Sequence, residues 1–194
     1  MIYLDHAATT PVPRAVADAM YEVLTEQFGN PSSQYPMGLE MKRRVEVWRK
    51  TVADALGCGA KQLFFTSCGT EADNWALRGV AELMALKGRK GGHIITSAIE
   101  HHAVLHTAQY LEKQGYEVTY LPVDGRGLVD PAALEGAIRP DTILISIMAA
   151  NNEIGTIEPV AELGRIARAH KVLFHTDAVQ AVGHIPVDVE AWNV

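Results

Sequence analysis

The sequence predicts an α/β protein, a mostly parallel sheet with helices packed on both faces. Three observations predict it. From Leu63 onward, short apolar runs alternate with segments of helical periodicity, which is the pattern of βαβ units. Residues 142–148 are almost continuously apolar, as a strand covered on both faces must be. Asp130-Pro131 marks a clean helix start between strands, with Asp at the N-cap and Pro at the first helical position.

Taken in order, residues 3–10 read as a short extended segment that ends at Pro11 and Pro13. Residues 14–28 form a helix with Val16, Met20, Val23 and Leu24 on one face. Gly29-Asn30-Pro31-Ser32-Ser33 is a loop. Residues 37–56 form a long helix whose apolar stripe is Met41, Val45, Trp48, Val52 and Leu56, stopped by Gly57. Gly57-Cys58-Gly59 hints at a dinucleotide fingerprint, but Gln62 stands where the third glycine belongs and a helix precedes it, so that reading is rejected.

Leu63 to Phe65 reads as the end of a buried strand. The chain then turns through Thr66, Ser67, Cys68 and Gly69 into a helix from Thr70 to Lys87, with Ala72, Ala76, Leu77, Val80 and Leu83 at helical spacing. Thr70 and Asp73 sit at capping-box spacing. Strands follow at 93–97, 117–121, 142–148 and from 172 to near 177, with helices at 103–114, from 131, and at 160–170. In the last of these helices Leu163, Ile166 and Ala167 point inward.

Composition narrows the function. The chain has 194 residues, enough for one sizeable domain, with ordinary hydrophobic and charged fractions of 48% and 21%. A net charge of −6 without a dense Lys/Arg cluster argues against nucleic acid or an anionic membrane as partner. Two cysteines, Cys58 and Cys68, in no CxxC arrangement argue against a disulfide framework and fit a reducing, cytoplasmic setting. The amino terminus lacks the basic and apolar regions of a signal peptide, and the longest apolar run, near 143–150, is too short to span a bilayer.

In open parallel sheets the ligand sits beyond the carboxyl ends of the strands. Polar residues gather there four times: Ser67 to Thr70; Glu100 and His101; Asn151, Asn152 and Glu153; His175, Asp177 and Gln180. The turn before Thr70 has a glycine, hydroxyls and a helix N-terminus, which together make a cradle for phosphate or carboxylate. Alone, that turn is equally an ordinary capped helix, and Asp177 alone equally a cap for the next segment. Together the four ends offer an anion cradle, an imidazole, amides and a carboxylate. His102 and His106 have the spacing of a helical metal pair, but no third ligand accompanies them, so no metal site is expected. The set suits a cofactor with a phosphate, a flat ring and a basic ring nitrogen. Pyridoxal phosphate is such a group, and it needs an Asp to keep its ring nitrogen protonated.

The chain resembles the cysteine desulfurases, the NifS/IscS-like branch of the class V aminotransferases. The resemblance rests on Tyr3-Leu4-Asp5-His6-Ala7-Ala8-Thr9-Thr10-Pro11, Phe28-Gly29-Asn30-Pro31-Ser32-Ser33, Phe65-Thr66-Ser67 with Gly69-Thr70-Glu71, Glu100-His101, Asn151-Asn152-Glu153-Ile154-Gly155 and His175-Thr176-Asp177-Ala178-Val179-Gln180. It implies the pyridoxal-phosphate transferase fold type I. Residues 14–194 would form a large cofactor-binding domain, incomplete at its carboxyl end, and residues 1–13 would join a small domain. It implies that Gly69 and Thr70 hold the phosphate and that His101 stacks on the ring and shuttles protons. Asp177 would pair with the ring nitrogen, Gln180 would bond the phenolic oxygen, and Asn152 would lie near that oxygen and the substrate carboxylate. The implied reaction takes sulfur from L-cysteine, leaving L-alanine and an enzyme persulfide. The sulfur would serve iron–sulfur cluster assembly or tRNA thiolation, through a sulfur-acceptor or scaffold protein, and the enzyme would be a homodimer.

The sequence departs from that pattern in three ways. The family's Schiff-base Lys, catalytic Cys and substrate-gripping Arg all lie beyond the position of Val194, so this stretch reads as an N-terminal portion that would be inactive alone. A sheet edge and apolar surface would then be left uncovered. Cys68 stands where many relatives have Gly, and reads as a small packed residue rather than a nucleophile; Tyr35 stands where many have His. A selenocysteine lyase, another class V enzyme, or a non-catalytic cofactor-binding or dimerisation module are the competing readings.

Overall fold

The computed structural model describes residues 2–88 and 91–194; Met1, Arg89 and Lys90 lie outside the described residues. The chain divides into two compact units, Met1–Phe64 and Phe65–Val194.

In the first unit, Pro13 leads into α1 (Arg14–Thr25). The helix stops three residues short of the predicted end. The Thr25 hydroxyl bonds back to the Tyr21 carbonyl, and the Gln27 N–H reaches past the helical register to the Glu22 carbonyl, which widens and ends the last turn. Helix α2 (Pro36–Leu56) begins with Pro at its first position and closes on Gly57, whose φ of 71° is the left-handed C-cap that glycine adopts without strain. Met41 and Ala53 are buried on α2, whereas α1 buries no residue.

The second unit is the predicted α/β sandwich. Helix α3 (Gly69–Leu86) leads to β1 (His93–Ser97), then α4 (His102–Lys113), β2 (Glu117–Leu121), α5 (Pro131–Ala137), β3 (Thr142–Ser146), α6 (Val160–Ala169), β4 (Leu173–His175) and the one-turn α7 (Val189–Trp192). All strand pairs are parallel, in the order β2-β1-β3-β4. Side chains alternate across the strands as the pleat requires. Ile94 and Leu144 pack on Leu77 and Ala81 of α3 and on Val104 and Leu111 of α4. Ile95 and Ile145 pack on the opposite side, against Leu134 of α5 and Val160, Leu163 and Ala167 of α6. Each such aliphatic side chain contributes about 1.5–3 kcal/mol on burial. The central strands β1 and β3 are buried at every residue, whereas Glu117 and Leu173 on the outer strands are exposed.

Two predicted strands are corrected. Residues 63–65 are extended but do not belong to the sheet, and Phe64 and Phe65 are largely exposed. A three-residue apolar run carries no period that separates a strand from a linker. Strand β3 ends at Ser146 rather than Met148, although its ladder goes on. The Ile147 N–H donates to the His175 carbonyl and the Ala149 N–H to the Asp177 carbonyl, at 3.1 and 2.8 Å. These bonds carry the sheet geometry into the polar loops, so residues 175 and 177 share one face of an extended chain.

Candidate functional site

The loops at the carboxyl ends of β1, β3 and β4 and the start of α3 converge, as predicted. Gly69 lies against the loop after β4: a Cβ there would fall 2.8 Å from Val179 Cγ2. The turn before α3 is braced by Glu71 rather than by the predicted Thr70–Asp73 pair. The Ser67 N–H and hydroxyl both donate to Glu71 Oε2, at 2.6 and 2.7 Å. First-turn N–H groups are polarised at this helix start, and that of Glu71, foremost, pulls the exposed Cys68 thiol below its ordinary value. Thr70 is exposed, and its carbonyl accepts from Asn74 Nδ2.

Asp73 points the other way, into the sheet. It is buried, and its Oδ1 lies 3.4 Å from His175 Nε2. The Ser146 hydroxyl lies 2.8 Å from His175 Nδ1 on the other side of the same ring. Two residues on, Asp177 is 7% exposed, and its Oδ1 accepts the Val179 N–H at 2.9 Å. Burial, with the negative charge of Asp73 adding to it, raises the Asp177 carboxyl above its ordinary value, and the His175 and His101 imidazoles partly oppose this.

His101 is the N-cap of α4, whose first residue comes one earlier than the predicted helix start. Its Nδ1 accepts the Ala103 N–H at 3.1 Å, which leaves Nε2 as the outward-facing nitrogen of an exposed ring. The preceding Glu100 is buried. Its Oε1 accepts the Ser97 hydroxyl at 2.6 Å and the Met148 N–H at 2.9 Å, tying the end of β1 to the end of β3. Burial pushes its carboxyl up to about 8. Asn151 is a second tie. Its Nδ2 donates to the Ile99 carbonyl at 2.8 Å, and its Oδ1 accepts the Glu153 and Ile154 N–H groups at 2.8 and 3.0 Å.

The structure thus gathers Gly69, His101 and Asp177 around one face of the sheet end. Asn152 is half-buried on the ordered 151–154 turn with its amide turned to Glu153 Oε1, and Gln180 is half-buried three residues beyond Asp177. The sequence reading took Asp73 for half of a capping box and passed over the loop-tying roles of Glu100 and Asn151. The available signal for Asp73 was a carboxylate in phase with Leu77 and Ala81, on the buried stripe of a helix.

These residues fit a group with an anionic end and a cationic ring edge. A buried carboxylate with a like charge nearby is stabilised by a cation such as a pyridinium N–H. Gly69 opens α3 and packs against Val179, and the unpaired N–H groups of the first turn of α3 suit an anion. Among the described residues there is no cluster of three or more metal-ligating side chains, and no helix is long and apolar enough to cross a membrane.

The parallel sheet with its flanking helices has the large-domain architecture of fold type I transferases, the class that uses pyridoxal phosphate, as its match to solved structures shows. More narrowly, the chain belongs to the class-V aminotransferase family, whose profile (Aminotransferase class-V) matches residues 2–194. It is 57% identical to a cysteine desulfurase IscS of Methanosarcina thermophila, a match that covers all of this chain and 47% of that protein. Among solved structures, a NifS-like protein superposes with a TM-score of 0.94 at 45% identity, over 100% of this chain and 53% of the other. A structure described as SspA in complex with cysteine superposes with a TM-score of 0.95 at 37% identity, over 100% and 55%. The chain spans about half the length of the curated relatives it matches.

Proposed function

We propose that the full-length protein is a pyridoxal-phosphate-dependent cysteine desulfurase, and that this chain contributes most of the cofactor seat. The observation that carries the reading is the buried Asp177 carboxylate beyond the carboxyl end of a parallel sheet, two residues before the Val179 that packs on Gly69 at the start of α3. Support comes from the 57% identity to a relative that bears this name.

When bound, pyridoxal phosphate supplies an electron sink for bonds at the substrate α-carbon. The residues of this chain would hold and orient it. The N–H groups at Gly69 and Thr70 hold the phosphate against the positive end of α3. Asp177 accepts the ring N–H and keeps that proton in place. The His101 ring would stack on the pyridine ring, with Nε2 the nitrogen to take up and return a proton. Gln180 donates to the phenolic oxygen, and Asn152 binds near it and the substrate carboxylate. Residues 14–194 serve as the large domain, and residues 1–13 join a smaller one. L-cysteine is the substrate and L-alanine the product, with sulfur leaving on an enzyme thiol for an acceptor or iron–sulfur scaffold protein. The enzyme works in the cytoplasm as a homodimer.

The test is turnover of L-cysteine by the full-length gene product, read as alanine and, with a reductant, as sulfide. Asp177→Ala should abolish turnover and weaken cofactor binding by at least about tenfold. A full-length protein that binds the cofactor but makes no alanine from cysteine refutes the activity. A strong preference for selenocysteine replaces the substrate.

A further inference from the structure

Asp73 sits one turn beyond the anion cradle, at the head of the buried stripe Asp73, Leu77, Ala81 that packs α3 on the sheet. An apolar side chain would satisfy packing there as well or better, because a buried ion pair seldom adds net stability. The carboxylate is retained in contact with one particular ring. His175 Nε2 is 3.4 Å away, and the same ring is fixed from behind by the Ser146 hydroxyl at 2.8 Å on the neighbouring strand. His175 lies two residues before Asp177 on one extended face. The Asp73–His175 contact therefore joins the helix that bears the cradle to the strand end that bears the ring-nitrogen carboxylate. The close approach of Gly69 to Val179 joins the start of the same helix to the loop that follows the same strand.

We propose that Asp73 and His175 are positioning residues whose contact sets the separation between the α3 anion cradle and the Asp177 carboxylate, so that one rigid ligand is gripped at its phosphate and its ring nitrogen together. The proposal rests on the reading of this site as a pyridoxal-phosphate seat. Its physical content is linkage: two half-sites at the right spacing bind a ligand that bridges them far better than either half binds alone, and the advantage is lost when the spacing drifts.

The experiment compares two probes on the full-length protein, pyridoxamine 5′-phosphate, which bridges both half-sites without a covalent bond, and inorganic phosphate, which needs the cradle alone. Asp73→Leu fills the stripe but removes the contact. The expected result is a rise of at least about tenfold in the dissociation constant of pyridoxamine 5′-phosphate, with that of phosphate changed less than about twofold. Asp73→Asn, which keeps an oxygen for His175, restores most of the affinity. Ser146→Ala, which loosens the ring without touching the stripe, gives the same split at smaller size and serves if the leucine variant does not fold. The absorbance maximum of the pyridoxal-phosphate-loaded protein should shift in the leucine variant and return in the asparagine one. Equal weakening of both probes, or of neither, overturns the clamp. A wild-type protein that binds phosphate but not pyridoxamine 5′-phosphate overturns the cofactor reading itself, and the clamp with it.

Discussion

Replacing Glu100 with Gln should abolish a pH dependence of stability that the buried carboxyl imposes. Glu100 is 5% exposed, and burial raises its carboxyl from 4.5 to about 8. Between those values the folded protein holds a proton that the unfolded chain has released, so stability falls as pH rises through the window. The stability that the neutral carboxyl confers is fully present below pH 4.5 and is lost as the pH passes about 8. The separation corresponds to about 5 kcal/mol, an upper figure because some water reaches any ionised buried group. Glutamine keeps an oxygen for the Ser97 hydroxyl and the Met148 N–H and carries no charge. Denaturant unfolding of the two full-length proteins at matched pH values isolates the effect, since all other titrating groups are common to both. The variant should match the wild type within about 1 kcal/mol near pH 5 and exceed it by several kcal/mol near pH 9. A difference profile that stays flat across that range would show that Glu100 is ionised and solvated, and would refute the reasoning.

Two further substitutions probe the loops. Gly69→Ala removes glycine's backbone freedom, worth about 0.4–1 kcal/mol in favour of folding, but sets a Cβ 2.8 Å from Val179 Cγ2, an overpacking that costs about 1–3 kcal/mol. Thermal unfolding should show net destabilisation, relieved by the exposed Val179→Ala in the double variant. Asn151→Ala deletes three hydrogen bonds that order residues 151–154 and hold Ile99, and should cost about 2–3 kcal/mol in denaturant unfolding and lower kcat/KM together.

Periodicity carried the architecture. Strands β1 and β2 lie at the predicted residues, and the Asp130 carboxylate accepts the Ala132 N–H as the cap its sequence announced. These signals are local, and so are legible in a sequence. What the sequence hid depends on which segments meet. The Thr70–Asp73 spacing looked like a capping box because nothing local reveals that β4 brings His175 beside Asp73. Glu100 looked like a member of a polar strand end, and its burial follows only from the β3 loop folding over it. The candidate site was legible as a list of residue types at strand ends; the ties that hold its loops together were not.

The strand order β2-β1-β3-β4 has a consequence for the chain as it leaves the ribosome. Of these four strands the first made, β1, becomes an interior one, and each of the other three meets an edge that is already in place: β2 adds on one side of β1, β3 on the other, and β4 on β3. Assembly can therefore follow synthesis without undoing an earlier pairing. The vulnerable interval is the wait for β3, when the second edge of β1, with Ile94 and Ile95, has no strand beside it. At ordinary elongation rates that wait lasts about 1–4 seconds. Translation speed over residues 122–141 thus governs how long the nascent protein leaves that edge of β1 unpaired.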